Sequence, residues 1–264
     1  MFKFNILSVP EKSILFEKIF VVAFANVFGK MSLNMKAKDL FDLPKSLELF
    51  REFFDAQSEP WEWLKNIKTA LNSVDFSKFE SKKDIPSGVH IEGKVYIHPS
   101  VKLPAFASIT GPAWIGANTE VRPGAFIRGN VIIGEGCVIG NSCEYKNSLL
   151  MDKVQTPHYN YIGDTIMGTG AHTGAGVICA NLRLDNASVS VSTPDGKVNT
   201  GLRKVGAFFG EYAESGCNSV LQPGTILMKK SVVMPCMAFS GLLEENTIAA
   251  VRNQIRKIPR PPKF

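Results

Sequence analysis

The chain has 264 residues, 45% hydrophobic and 20% charged, which supports a packed core and excludes wholesale disorder. Lys+Arg of 30 against Asp+Glu of 24 gives a net charge of +6 and a pI near 9.0. That sign suits phosphorylated small molecules, coenzyme A or nucleic acid, and equally a merely soluble basic protein. No apolar run reaches the roughly 18 residues that a membrane-spanning helix needs, so none is expected. The stretch Ile19 to Ala25 ends in a small-x-small pattern, but Glu17 and Lys18 abut its very short apolar core, which argues against a signal peptide. The cysteines number 5, with no C-x-x-C pair. Cys137, Cys143, Cys179 and Cys217 fall in or near the repeat phase and predict buried, reduced thiols in a cytoplasmic protein, not a disulfide framework or a zinc site.

Residues 1–84 are rich in Phe, Lys and Glu and read as a helical N-terminal cap. Leu47, Phe50 and Phe54 share one helical face. Ser58 and Pro60 mark a second helix start, with Leu64, Ile67 and Leu71 continuing an apolar face beside Trp61. The expected role is to cover the open end of a repeat region that begins at Ile85.

From Ile85 to Tyr145 every sixth residue is large and apolar: Ile85, Ile91, Ile97, Leu103, Ile109, Ile115, Val121, Ile127, Ile133, Ile139 and Tyr145. Four places after each rung stands a smaller residue able to face inward, from Val89 and Val95 through to Cys143 and Leu149. A period of six fits neither an amphipathic helix nor a simple strand. It predicts an all-β solenoid, a left-handed parallel β-helix of hexapeptide repeats with three hexads to each triangular coil, over residues 85–242. Gly and Asn recur at the corners, as in Ile133-Gly134-Glu135-Gly136, where they tolerate positive φ.

The period breaks twice. Met151 and Met167 are separated by a spacing that is not a multiple of six, which predicts a loop leaving the wall at about 152–166. After Cys179, the alternating Ser188-Val189-Ser190-Val191-Ser192 and the turn Pro194-Asp195-Gly196 predict a hairpin at about 182–204, projecting from the solenoid. The ladder resumes at Phe209. Residues 243–264 read as a C-terminal helix, Glu244 to Ile258, with a basic tail from Arg256 to Phe264.

Polar residues gather at the breaks, where function is expected. The first break carries Pro157-His158-Tyr159-Asn160-Tyr161-Ile162-Gly163-Asp164. It is preceded by Glu144-Tyr145-Lys146 and followed by Gly174-Ala175-Gly176 and Asn181. With Arg122-Pro123-Gly124-Ala125 and Ile139-Gly140-Asn141, this stretch resembles the acetyltransferase domain of bacterial bifunctional enzymes that make UDP-N-acetylglucosamine. The resemblance implies a trimeric hexapeptide-repeat acyltransferase that moves acetyl from acetyl-CoA onto glucosamine-1-phosphate or a related sugar nucleotide.

It further implies roles. His158 would be the general base, taking a proton from the acceptor amine. Glu144 and Asn181 would orient the amine and the imidazole. Lys146, with Arg122 or Arg128, would grip the phosphate, and Tyr161 would contact the sugar nucleotide. His172 replaces an asparagine that helps hold the sugar, and Ala175 would lie beside the co-substrate. Acetyl-CoA is the implied co-substrate, with no metal required. Leu182 stands where the family has an aromatic residue, and no nucleotidyltransferase half is recognisable. The implied partners are the amino-sugar phosphate and further copies of the chain in a homotrimer, with neither membrane nor nucleic acid.

Two other readings compete. A non-catalytic sugar-nucleotide-binding or regulatory module would keep the pocket without turnover. A metal-dependent hydratase on the same fold needs three converging histidines, and His90, His98, His158 and His172 lack the required spacing. Nucleic-acid binding would want aromatics interleaved with a basic stripe, and only the short tail is basic.

Overall fold

The computed structural model describes residues 35–251 of the chain. The tail and part of the N-terminal cap lie outside the described residues. The solenoid is a left-handed parallel β-helix whose walls are sheets of 8, 8 and 7 strands. The first wall runs from Gly88–Glu92 through Phe126–Ile127, Glu144–Lys146, Tyr161–Gly163 and Ile178–Cys179 to Ala238–Phe239. The second runs from Val95–Ile97 through Val131–Ile133 and Ser148–Leu150 to Leu242–Leu243. The third carries Glu120–Val121, Val138–Asn141, Gln155–His158 and His172–Thr173 and ends at Ile248–Ala249.

The rungs stack as the period of six requires. Ile115, Ile133, Leu150, Met167, Phe209 and Leu227 align along the second wall and are buried in the axial core. The register corrects the first break. Ile115 pairs with Ile133, eighteen residues on. Ile133 pairs with Leu150, and Leu150 with Met167, each seventeen on. No loop leaves the wall at 152–166. Gln155–His158 and Tyr161–Gly163 are wall strands paired on both sides. The apparent sixteen-residue gap is the summed phase loss of two successive coils, each shortened by one residue at the corner between the first and second walls. The shortening also reassigns one inward position. Leu150, not Leu149, takes the axial place, and Leu149 faces outward.

The outward column of the second wall is apolar throughout, through Tyr96, Trp114, Ile132, Leu149, Ile166, Phe208 and Ile226. A wall apolar on both faces needs a cover. Helices α1 (Ala37–Leu40) and α2 (Pro60–Ser73), with a 3-10 helix at Lys45–Phe53, supply it over the lower coils. Leu47, Phe50, Ile67 and Leu71 share one buried cluster with Trp114 and Ile132. The described helices therefore cover a flank of the solenoid, while Lys82 N donates to the Ile97 carbonyl at the first coil. The hairpin pairs Ser190–Thr193 with Gly196–Asn199. It does not project from the solenoid, because Val189 and Val191 are buried in the same cluster as Phe208 and Ile226.

The helix expected over Glu244 to Ile258 is a further correction. Leu242–Leu243 and Ile248–Ala249 are strands that continue two walls. Asn246 turns the corner between them with φ of 56°. The remainder of that segment lies outside the described residues.

Candidate active site

The two shortened corners bring Lys146, Asn147 and Asp164 together. Glu144–Lys146 and Tyr161–Gly163 are neighbouring first-wall strands, with Glu144 opposite Tyr161 and Lys146 opposite Gly163. Asn147 and Asp164 turn these strands toward the second wall with φ of 47° and 48°. The Asp164 side chain is 7% exposed. Its carboxylate accepts from Lys146 Nζ at 3.2 Å, from Asn147 Nδ2 at 3.0 Å and from Asn181 Nδ2 at 2.6 Å. Asn181 Nδ2 also donates to the Tyr161 hydroxyl at 3.1 Å.

Tyr161 reaches that partner by leaning over its own strand. A Cβ at residue 163 would lie 2.5 Å from the phenol oxygen, so the glycine is required. Burial raises the Tyr161 phenol above its ordinary range, the Asn181 hydrogen bond works against this, and the Asp164 and Glu144 charges reinforce it. Tyr161 therefore stays neutral at physiological pH and keeps its O–H available to a ligand.

Arg128 lies one coil earlier and donates to Glu144, which raises the guanidinium above its already high value. It also sits 5.8 Å from the centre of the Phe126 ring. Both cations of this wall are thus paired with carboxylates, Arg128 with Glu144 and Lys146 with Asp164.

His158 ends a strand of the third wall, at the corner where the chain turns into the first wall. It lies opposite Asn141 and is exposed, and Tyr159 turns the chain after it with φ of 53°. Asn160, 2% exposed, anchors that turn by accepting from Val177 N at 2.8 Å. Ala175 lies on the next coil at this corner, where the His158 carbonyl accepts from Gly176 N.

The structure thus assembles Glu144, Lys146, Tyr161, Asn181 and Arg128 on one wall, with His158 and Ala175 along its far edge. It separates the others. Arg122 lies on the third wall, ion-paired with Glu120 at 3.1 Å, so Arg128 is the arginine beside the cluster. His172 is also on the third wall, its Nδ1 3.7 Å from Glu214. The expected orientation of His158 by Glu144 and Asn181 is not made within the chain, because those side chains bond Arg128, Tyr161 and Asp164 instead. Asp164 and Asn147 were not among the assigned residues. The sequence signal for them is the five-residue step from Tyr145 to Leu150, repeated from Ile162 to Met167.

Beside Asn181 the wall opens into a cleft lined by Ala180, Leu182, Arg183, Gln222 and Ser240. Among the described residues, no cluster of three or more His, Cys, Asp or Glu is placed to hold a metal ion. No helix among them is long and apolar enough to cross a membrane.

A family model described as the GMPPB C-terminal domain matches residues 109–242. A bifunctional sugar-1-phosphate nucleotidylyltransferase/acetyltransferase of Sulfurisphaera tokodaii is 33% identical over 193 residues, 73% of this chain and 47% of its own. A bifunctional protein GlmU of Methanococcus maripaludis is 32% identical over 223 residues, 83% of this chain and 53% of its own. A bifunctional protein GlmU of a Cyanothece species is 32% identical over 154 residues, 58% of this chain and 30% of its own. The chain spans about half the length of the first two.

Proposed function

Because the chain belongs to the GMPPB C-terminal domain family, within the hexapeptide-repeat acyltransferases, we propose that it is an acetyl-CoA-dependent N-acetyltransferase. Its acceptor is an amino-sugar phosphate of the glucosamine-1-phosphate type or the corresponding sugar nucleotide. The observation that carries this reading is the polar corner of Lys146, Tyr161, Asp164 and Asn181, on the wall whose far edge presents His158. The Sulfurisphaera tokodaii relative, whose name includes an acetyltransferase, supports it.

The acceptor lies along the first wall. Lys146 and Arg128 face its phosphate, Tyr161 and Asn181 its sugar ring, and the amine reaches the His158 edge. The amine nitrogen attacks the thioester carbonyl carbon while His158 takes the amine proton. The C–S bond then breaks, the coenzyme A thiolate leaves, and the imidazolium returns the proton to it. The groove between adjacent copies in a homotrimer holds acetyl-CoA, with Ala175 beside it.

The test is incubation with acetyl-CoA and a panel of amino-sugar phosphates, following free thiol release. Turnover with at least one acceptor is expected, and His158→Ala should lower it by about 100-fold or more. A second reading, a sugar-nucleotide-binding module without turnover, is favoured by the bonding of Glu144 and Asn181 away from His158. Tight sugar-nucleotide binding with no thiol release on any acceptor would establish it instead.

A further inference from the structure

The corner between the first and second walls recurs along the solenoid, and glycine serves it on several coils. Gly93, Gly129, Gly224 and Gly241 all turn there with positive φ. Asn130, Asn147 and Asp164 turn there with longer side chains, at φ of 53°, 47° and 48°, and of these three only Asp164 is charged. A residue with a Cβ is disfavoured in this conformation, so the turn alone does not call for an aspartate.

The partners of Asp164 indicate its task. Its two oxygens, almost excluded from solvent, collect one ammonium and two carboxamides from two coil segments, Lys146-Asn147 and Asn181. Two of those donors, Lys146 and Asn181, are groups assigned to the acceptor. Both remain partly exposed, so each can bond the carboxylate and a ligand together. Without the carboxylate, the long Lys146 side chain and the Asn181 amide would have several rotamers each.

We infer that Asp164 is the positioning residue of the acceptor site, fixing the Lys146 ammonium and the Asn181 carboxamide, and through Asn181 the Tyr161 hydroxyl, against the first wall. Asp164 need not touch the acceptor. The inference rests on the reading of this wall as the acceptor site.

The glycines on the other coils supply the decisive variant. Asp164→Gly suits the turn and removes only the carboxylate. Asp164→Gly, Asn181→Ala and the double variant are compared with wild type, using glucosamine-1-phosphate and acetyl-CoA and recording melting temperature. The variant Asp164→Gly should raise the acceptor KM about tenfold or more, leave the acetyl-CoA KM within about twofold and melt close to wild type. The double variant should be no worse than the more affected single variant, because Asp164 acts partly through Asn181. An unchanged acceptor KM in folded Asp164→Gly, or losses that simply multiply, would overturn the inference. If Asp164→Gly does not fold, Asp164→Asn, which keeps the turn as Asn147 does, must show the same selective rise in acceptor KM. Wild type without turnover contradicts the proposed reaction and the inference with it. Wild-type turnover with an indifferent Asp164 contradicts the inference alone.

Discussion

Tyr161 lies over its own strand, and the space it occupies belongs to the missing side chain of residue 163. In Gly163→Ala the phenol must swing away from Asn181. Since only the far end of a side chain has to move, the fold should be little affected. The acceptor KM should rise about tenfold, or about 1.4 kcal/mol, and an unchanged KM would show that the Tyr161 hydroxyl has no part in binding. The thiols give a pH test. Burial pushes Cys137 and Cys179 from an ordinary value of 9.0 up to about 12. Both are protonated in the fold, while the unfolded chain loses those protons near pH 9. Their contribution to stability is therefore complete below about pH 9 and falls as pH rises toward 12. Denaturation midpoints at pH 8 and pH 10.5 should differ in that direction. Native protein should react with a thiol reagent at Cys217 and Cys236, the two exposed cysteines, well before the three buried ones. At this scale the sequence singled out His158, Lys146 and Asn181 as candidates, and the structure brings Lys146 and Asn181 onto one carboxylate. The sequence was silent on who bonds whom. Asp164 in the string Gly163-Asp164 looks like any turn residue, and only the folded corner gives it Lys146 and Asn181.

Helix α2 shows what an element takes from sequence and what it takes from contacts. Pro60 sits in its first turn, where the missing N–H costs nothing, and this start was legible. Its end was not, because no basic residue lies in its last turn. Lys94, from the loop between the first two walls, supplies the charge instead. Its ammonium donates to the carbonyls of Leu71 at 2.7 Å, Asn72 at 3.1 Å and Val74 at 2.6 Å, and lies 4.4 Å from the Phe76 ring centre. Lys94→Met keeps the stem and removes the donors, and should destabilise the protein by about 1–3 kcal/mol. Urea unfolding should show a lower midpoint at an unchanged slope. The two elements misread from sequence share one cause. A strict period of six hides coils shortened at a corner. Two coils lose one residue each, and near the end Phe239 and Leu243 take successive axial places only four residues apart. A loop and a helix were inferred where the solenoid had only shortened its turns.

On the scale of the whole solenoid, the three walls divide the work. The second is buried on both faces by the helices and the hairpin, and its near-continuous apolar strands such as Val131–Ile133 and Ala207–Phe209 already carry that message. The first and third walls carry no such cover among the described residues. Every residue assigned to the reaction lies on them or at their corners. The ladder made the solenoid legible almost entirely, because burial of one large side chain per hexad leaves a regular trace. The candidate site is named in the sequence only as a set of residues, since their arrangement depends on two single-residue deletions. The central claim is that this wall transfers acetyl from acetyl-CoA to an amino-sugar phosphate, with His158 as base. The most direct measurement is the rate of acetylated product formation from acetyl-CoA and glucosamine-1-phosphate, for wild type and a folded His158→Ala. Acetylated product from wild type with a loss of about 100-fold or more in the variant is the expected result. No product from wild type, or equal rates for the two proteins, would contradict the account.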